Sequence, residues 1–489
     1  MLMKSFSSFR GRCVRHLGTA VLCVVLLGSS QVSFAASAGR QDAVARQPVY
    51  SGQRSAETAD RPVAGKSIGM SDAVEHALRF NPGLGAQEAE SRSSEEGRKS
   101  ARGAFGPRLG VSYSATKTES KRDPSATMGT KNPKMGVYSW GIEVTQPIFQ
   151  GFRLLSTYQK AALQADSDKA SLRKAELDMT EQVQTAFLEY LKAGENTRSM
   201  RDSLARLREQ LRIAQAYFEV GLSPRLDVLQ AEVDVSEAER LLIEAENTQA
   251  TTLARLNTLL GFDATAVNTY TGTLKEVGFR YTLEQCLELA YRQRPDLYVA
   301  QKAVEIARKS QKEVQSDYYP QIEGYYSMTQ SGNTPGMQRS GENGSHVTNW
   351  EVGAQATWNV FEWGTTYYAD KQAGWQVTKM RYEQENLKLE VGYDIKSKYL
   401  AVQEARKRIA VAQNSVAQAT EAYNVALARY HEHVGTNFDV LDASANLTSA
   451  QSSLTGAKAD YLTALSQIYV AMGEYHPDLL REGGAARRK

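Results

Sequence analysis

Residues 138–146, YSWGIEVTQ, and residues 350–360, WEVGAQATWNV, decide the fold of this 489-residue chain. Apolar and polar side chains alternate in both stretches, which is the two-residue period of a strand whose faces meet different media. The same alternation occurs in 109–116 and again in 322–328. Each run has about ten residues, the length that a tilted strand needs to cross a bilayer. We therefore predict strands at about 107–118, 136–147, 320–330 and 348–360.

The alternation leaves two interpretations open, a soluble sheet packed on a core and a sheet in a membrane. The face opposite the apolar one carries hydroxyls and carboxylates, including Glu143, Glu323 and Glu351, which suit a wet lumen. The loops 119–135 and 332–346 are long and polar, like extracellular loops. Both features favour the membrane. The predicted lipid-facing residues are Leu109, Val111, Tyr113, Tyr138, Trp140, Ile142, Trp350, Val352 and Trp358.

Four strands are too few to close a barrel, because the smallest single-chain outer-membrane barrels have about eight. The membrane interpretation therefore requires several copies of the chain to share one barrel. It also requires export. Residues 1–35 are predicted to be a signal peptide, with a basic start, an apolar stretch from Leu17 to Leu27 and a cleavage site after Ala35 or Ala38. A retained N-terminal anchor is the alternative.

The charges of the mature chain nearly balance. The whole chain has a formal charge of +3, but without the four basic residues of 1–35 it has 54 basic and 55 acidic residues. Nucleic acid is therefore not expected as a partner, since such partners select strongly basic surfaces. Beyond the signal no apolar stretch is long enough for a transmembrane helix, so entry into a membrane would require β-strands.

The chain repeats itself with a period of 212 or 213 residues. Ala77 and Pro82 recur as Ala290 and Pro295, and the segment 227–229 recurs as 439–441, Asp-Val-Leu in both. A period of this length indicates two copies of one large unit. We predict a flexible leader at 36–67, a first repeat at 68–280, a second repeat at 281–475 and a flexible tail at 476–489.

A very long helix follows the two strands of each repeat. The segments 150–219 and 364–432 lack proline and carry apolar residues at helical spacing. Seventy helical residues extend about 105 Å. The shorter helix before the strands and the return helix after the tight turn have a combined length close to that of the long helix. Two stacked shorter helices could therefore run beside each long one, as in the wall of a cylinder.

Taken in order and duplicated, these features resemble the TolC family of outer-membrane export channels. The resemblance covers about 70–475 and is carried by Asn81-Pro82-Gly83-Leu84, Arg294-Pro295-Asp296-Leu297, the strand starts Gly106-Pro107 and Tyr319-Pro320, Gln146-Pro147-Ile148-Phe149-Gln150-Gly151, and the turn segments around 220–229 and 439–443. It implies a mainly α-helical chain with a transmembrane β part, forming a trimeric 12-stranded β-barrel continuous with a long periplasmic α-helical barrel. It also implies an outer-membrane location extending into the periplasm, a periplasmic adaptor (membrane fusion protein) and an inner-membrane ABC or proton-driven pump.

The resemblance also implies two working sites at the helix turns. In the family, acids at the positions of Asp439 and Asp442 ring the periplasmic mouth, and we add Asp227 as a third gate candidate. Each Asp could instead only stabilise a helix N-terminus. If the acids crowd together, their pKa values should be raised. The predicted adaptor-docking tip comprises Val220, Gly221, Leu222, Ser223, Val434, Gly435 and Thr436.

The second turn departs from the family pattern. Without a gap His433 takes the place of Gly221, and Gly435 replaces the family's basic latch residue; a two-residue gap would align Gly435 with Gly221. A metal site at His431 and His433 is not expected, because side chains two residues apart on a helix diverge. The sequence has no phosphate-binding loop, paired-cysteine zinc pattern or HExxH motif, so we predict neither an enzyme nor a cofactor. The competing hypothesis is a periplasmic coiled-coil scaffold without a channel.

Overall fold

The computed structural model describes residues 67–119, 134–332, 346–476 and 479. The predicted signal peptide, nearly all of the predicted leader, the loops at the far ends of the strands and most of the predicted tail lie outside these residues.

Each repeat has the same order of elements. The first contains β1 Ser67–Ile68, α1 Met70–Phe80, α2 Pro82–Gly103, β2 Arg108–Glu119, β3 Lys134–Gln150, α3 Arg153–Glu219 and α4 Arg225–Leu260. The second contains β4 Thr269–Tyr270, α5 Leu283–Gln293, α6 Pro295–Gln315, a 3₁₀ turn Ser316–Tyr318, β5 Gln321–Gly332, β6 His346–Thr357, α7 Thr365–His431 and α8 Asn437–Ala471. The duplicated helix–strand–strand–helix unit is therefore confirmed.

The strands β2, β3, β5 and β6 form one antiparallel sheet in that order. β3 runs three residues beyond its predicted end, because a register shift between Pro147 and Phe149 lets the strand continue past the proline. β6 ends three residues before its predicted end. Thr357 pairs with Gln321, the first residue of β5, so no neighbouring strand remains to continue the ladder.

Both long helices begin after two residues in left-handed conformations. Gly151 and Phe152 (φ 58° and 66°) precede α3, and Trp363 and Gly364 (φ 50° and 83°) precede α7. A side chain at Gly151 would collide with the backbone oxygen of Ser316, so glycine is required there for space as well as for conformation. The break moves the start of α3 to Arg153, three residues after its predicted start.

The helices lie side by side, with α3 in the middle. α3 has 67 residues and packs against α2 and α4 of its own repeat and against α6 and α8 of the other. α7, also of 67 residues, packs against α6 and α8. A helix of that length extends about 100 Å. The predicted stacking of two shorter helices along each long one is confirmed. It leaves α7 at one edge of the layer and α2 with α4 at the other.

The main apolar core lies midway along the long helices. It joins Phe187 of α3, Ile395 of α7 and Leu462 of α8, none of which is exposed, to the short helices α1 and α5. Tyr270 of the two-residue strand β4 also belongs to it. β1 and β4 pair in parallel, so the residue at the end of the predicted flexible leader, Ser67, is in fact hydrogen-bonded structure.

The predicted flexible tail is wrong at its beginning. Leu479 is buried in the core, and the ring of His476 stacks on Tyr469 at 4.6 Å between centroids. The backbone oxygen of His476 accepts a hydrogen bond of 2.5 Å from the Gln184 side chain. Contacts with α3 and α8 therefore hold His476 in place, and burial in the core holds Leu479, despite the polar sequence around them. Among the described residues, no helix combines the length and the apolar character needed to cross a membrane.

Candidate functional site

The strand register places the predicted lipid-facing residues on one face of the sheet. Two rows are apolar across all four strands, namely Val111–Ile142–Met328–Trp350 and Leu109–Val144–Tyr326–Val352. A third row begins with Tyr113 and Trp140, and Tyr138 lies beyond it on the same face. Trp358 falls just after β6, where its indole nitrogen donates to the backbone oxygen of Tyr318 at 3.2 Å. That this face meets lipid stays a prediction.

Large apolar side chains on this face are exposed in the single chain. Val111 is 72% exposed, Trp350 69% and Val352 67%. An uncovered apolar patch of this kind marks a surface that another protein or a membrane covers.

The opposite face of the sheet is polar. Ser114 and Ser139 share a hydrogen bond of 2.7 Å between their hydroxyls, and the hydroxyl of Tyr325 donates to Glu351. Glu143 and Glu323 point to the same side by the alternation of β3 and β5. A sheet with one apolar and one acidic, hydroxyl-rich face has the surface that a water-filled lumen requires.

Both edges of the sheet are open within the described chain. β2 pairs only with β3 and β6 only with β5, so each of these edge strands keeps a row of unpaired backbone groups. β2 and β6 run in opposite directions, because the four strands alternate. A β6 edge placed beside the β2 edge of another copy would therefore continue the antiparallel order.

The edges of the helical layer are apolar as well. On α7, Tyr368, Trp375, Tyr382 and Leu389 recur every seven residues and are 69–74% exposed. At the other edge, exposed apolar residues at coiled-coil spacing lead from the first turn into α4: Leu222, Leu226, Leu229, Val233 and Ile243. The strands follow the order β2, β3, β5, β6, and the helices joined to them pack in the matching order α2, α3, α6, α7. The α7 edge therefore belongs to the same side as the β6 edge, and the edge formed by α2 and α4 belongs to the side of β2.

The first helix turn ends in a glycine cap. The N–H of Gly221 donates to the oxygen of Phe218, and that of Leu222 donates to the oxygen of Tyr217 at 2.8 Å. Gly221 has φ 75° and open space where a side chain would be, so its conformation and not a close contact within the chain requires glycine. Val220 and Leu222 project outward, 68% and 61% exposed.

The second turn repeats these hydrogen bonds at a displacement of 212 residues. His433 donates to the oxygen of Tyr430, and Val434 donates to that of Arg429. His433 has φ 58° and thus takes the position of Gly221. The ungapped alignment of the two turns is therefore the correct one. Gly435 is packed tightly, since an added side chain would lie 3.1 Å from the Cβ atom of Arg429.

Asp439 has a structural partner. Its carboxylate accepts from the N–H of Thr436 at 3.0 Å, and the Thr436 hydroxyl accepts from the N–H of Asp439 at 3.2 Å. These hydrogen bonds, with the nearby Arg429, lower the pKa of Asp439. In the single chain the pKa of Asp439 is thus lowered, and Asp439 helps to cap the start of α8. A rise in pKa through crowding with the acids of other copies stays a prediction.

The other two gate candidates have different surroundings. Asp442 is exposed one turn after Asp439, and its carboxylate accepts from Asn446 at 3.0 Å. Asp227 is half-buried, and burial raises its pKa. Burial, together with the charge of Asp227, raises the pKa of Tyr430 to about 12. The three acids therefore differ in their exposure and in the hydrogen bonds that their carboxylates make.

A buried polar link joins the two turns, and sequence reasoning missed it. The amide of Asn437 donates to the backbone oxygen of Asp227 at 3.0 Å and accepts from Gln210 at 2.7 Å. The ring of Tyr217 lies 5.0 Å from that of His433, measured between centroids. Asn437 is 1% exposed, and its place directly before an apolar helix stripe was the available signal. No three His, Cys, Asp or Glu residues in the described part of the chain are arranged to hold a metal ion.

Comparison with known proteins assigns the family. Residues 73–262 and 286–474 match the family model described as outer membrane efflux protein. This chain belongs to that family. The match occurs twice, once in each repeat, as the internal duplication predicted. Membership in the outer membrane efflux protein family confirms the predicted location in the outer membrane, with a part of the chain in the periplasm.

Relatives and solved structures cover most of the chain. The alkaline protease secretion protein AprF of Pseudomonas aeruginosa is 25% identical over 415 residues, which are 82% of this chain and 84% of AprF. The outer membrane protein TolC of Vibrio cholerae is 24% identical over 412 residues, with 83% and 90% coverage. The CmeC outer membrane channel of Campylobacter jejuni shares the fold with a TM-score of 0.72 at 17% identity, covering 83% of this chain and 85% of CmeC.

Proposed function

We propose that this outer membrane efflux protein is the passive duct of a tripartite export system. Three copies would close one 12-stranded barrel in the outer membrane, and their long helices would continue it as a tube across the periplasm. The observation that supports this most is the sheet itself, which has an apolar face, a polar face and two open edges of opposite direction. A single chain cannot satisfy those edges.

The helices support the same assembly. In a ring of copies, the side of each chain that carries β6 and α7 meets the side of the next that carries β2, α2 and α4. The exposed apolar residues of α7, such as Trp375 and Tyr382, would then be covered by the neighbouring chain. The sheet and the helical layer thus require the same neighbour on the same side. A scaffold with a soluble sheet would leave the open sheet edges unexplained.

The duct does no chemistry of its own in this proposal. Its energy would come from an inner-membrane ABC or proton-driven pump, joined through a periplasmic adaptor. The adaptor would dock at the tip formed by Val220–Ser223 and Val434–Thr436, where Val220, Leu222 and Val434 expose apolar side chains. Asp442 is exposed, whereas Asp227 is half-buried and the Asp439 carboxylate is hydrogen-bonded to the backbone of Thr436. We therefore assign the cation-attracting ring of the mouth to Asp442, with Asp439 holding the helix start beside it.

The cargo is either a secreted protein or small molecules such as drugs. Relatives of nearly equal identity carry names of both kinds, with AprF at 25% named for protease secretion and BepC of Brucella suis at 23% named for efflux. A deletion strain separates the two cargo classes. Loss of a secreted protein with unchanged drug sensitivity indicates protein cargo, and the reverse indicates drugs.

Reconstitution of the mature chain into planar bilayers tests the duct. We expect detergent-dependent trimers and a cation-selective conductance that a multivalent cation such as La³⁺ reduces from the periplasmic side. The variant Asp442→Asn should lose most of that block, whereas Asp460→Asn, which removes an acid paired with Arg408 elsewhere on α8, should keep it. A monomer that stays in solution without detergent and conducts no ions would refute the proposal.

A further inference from the structure

A cavity of about 480 Å³ lies near the start of α8. Three helices line it, each with one stripe at helical spacing. α3 forms one wall with Met200, Ser203 and Leu207, α4 a second with residues from Asp234 to Leu241, and α8 a third with residues from Phe438 to Ser449. The space has the size of a site for a small organic molecule.

Most of the cavity wall is apolar. Met200, Leu207, Leu241, Phe438 and Leu441 contribute their side chains to it. Phe438 is 64% exposed in the chain, so the aromatic ring stands at the opening and can cover a ligand. A polar or strongly hydrated solute would gain little from such a wall, because its own water would be lost without replacement.

The charges on the wall are all negative. Asp234, Glu237 and Asp442 line the cavity, and no Lys or Arg is among the described residues that do. Glu237 is already paired, since Arg240 donates to both of its oxygens at 2.6 and 2.9 Å. Within the part of the chain that the structure describes, the Asp442 carboxylate is hydrogen-bonded only to the neutral amide of Asn446.

Asp234 is the unusual group. Within the described residues its carboxylate has no hydrogen-bond or ion-pair partner, and burial raises its pKa. A carboxylate that loses water and gains no cation in return is destabilised in its charged form. A bound cation beside it would offset that cost, and the apolar wall would accommodate the rest of the molecule.

We propose that this cavity, which we call the α3–α4–α8 cavity, binds a small amphipathic cation, with an aromatic or aliphatic body against the apolar wall and its positive charge beside Asp234 and Asp442. A small molecule is favoured over a peptide side chain because helices close the space on three sides. The inference deepens the proposed function and rests on it for one point. If Asp442 faces the duct, the cavity opens into the duct just inside its mouth, and amphipathic cations are cargo or blockers of the channel.

Binding is tested with the full mature protein in nanodiscs of neutral lipid, using the fluorescence anisotropy of ethidium as the probe. We expect saturable binding that tetraphenylphosphonium displaces and that neutral triphenylphosphine oxide, of similar bulk, does not. Asp234→Asn should weaken ethidium binding by about two- to fivefold, the effect of one ion pair that remains partly open to water. Ala445→Phe, which fills the cavity from an exposed position, should weaken it at least as much.

The matched control is Glu232→Gln, which removes an acid of the same helix that does not line the cavity, and it should bind ethidium like the parent protein. Equal affinity in Asp234→Asn, Ala445→Phe and the parent would overturn the inference. So would displacement by the neutral compound, or displacement by a lysine-containing peptide but not by tetraphenylphosphonium. The two proposals can fail separately. Conducting trimers that bind no ethidium overturn only the cavity, while Asp234-dependent binding by a protein that conducts nothing supports the cavity and overturns the duct.

Discussion

An arginine on each face of β2 distinguishes a sheet in lipid from a sheet in water. Val111 and Ser112 are neighbours near the middle of the strand, and both are exposed in the single chain. Val111 belongs to a row that is apolar across all four strands, with another such row on one side and Tyr113 and Trp140 on the other. Its position is therefore close to the middle of the apolar band. Ser112 faces the polar side beside Gly141.

The expected magnitudes differ strongly between the two variants. Arginine on the lipid face of a barrel costs about 2–4 kcal/mol near the bilayer midplane, and three identical copies multiply that to about 6–12 kcal/mol per trimer. Most of the stability of an ordinary protein would be lost. Ser112→Arg places the same side chain towards the lumen, where water can solvate it, and should cost less than about 1 kcal/mol per copy.

The assay is urea unfolding of trimers folded into lipid vesicles, followed by tryptophan fluorescence, with the fraction of sodium dodecyl sulfate-resistant trimer as a second measure. Val111→Arg should assemble poorly and Ser112→Arg nearly as well as the parent. If Ser112→Arg proved the more damaging change, the faces would be reversed. If the two variants behaved alike, neither face would contact hydrocarbon and the argument for the membrane would fail.

Three further predictions concern the helix turns and one helix interior. Hydrogen bonds lower the pKa of Asp439 in the folded chain, so this carboxylate stabilises the fold at pH values above its unfolded pKa, and the stabilisation is lost as pH falls through its folded pKa. The melting temperature of the parent should therefore drop more between pH 6 and pH 3 than that of Asp439→Asn. Equal drops would contradict this. Asn437→Ala leaves the buried amide of Gln210 unpaired, at a cost of about 1–3 kcal/mol, and faster hydrogen exchange confined to the two turns should report it. Gly221→Ala should lower the free energy of unfolding by about 1 kcal/mol because of its left-handed conformation, whereas Gly97→Ala within α2 should raise it by up to about 1 kcal/mol.

The sequence predicted the strands and long helices well because their patterns are regular over many residues. The alternation in 138–146 and 350–360 predicted which side chains lie on each face of the sheet. The register of the strands then determines which of these side chains lie beside one another in a row. The ends were less predictable. β6 stops at Thr357 because its neighbour begins at Gln321, and a limit set by another segment leaves no trace in the residues that follow Thr357.

The turns show what a sequence pattern leaves open. Two alignments of the second turn were possible because His433 is an unusual residue for a left-handed position, and only the repeated hydrogen bonds decide between them. The role of Asp439 was visible in part, since Thr436 stands three residues before it, the spacing of a capping box. The link from Asn437 to Gln210 joins residues 227 positions apart, a distance across which no local periodicity operates.

The two open edges of the sheet have a consequence for the kinetics of assembly. In the proposed trimer, β2 and β6 each find a partner strand in another copy, so a monomer would lack a complete native state and its stability would depend on the concentration of its own copies. Changes at these two strands should then alter the order of the association reaction and the lag before it, while the helical core around Phe187 and Leu462 folds at a rate independent of dilution. On the same proposal, the unpaired edges of each newly exported molecule would be a template to which an extended polypeptide could add. The interval before the barrel closes would then be the time at which a chaperone is most needed.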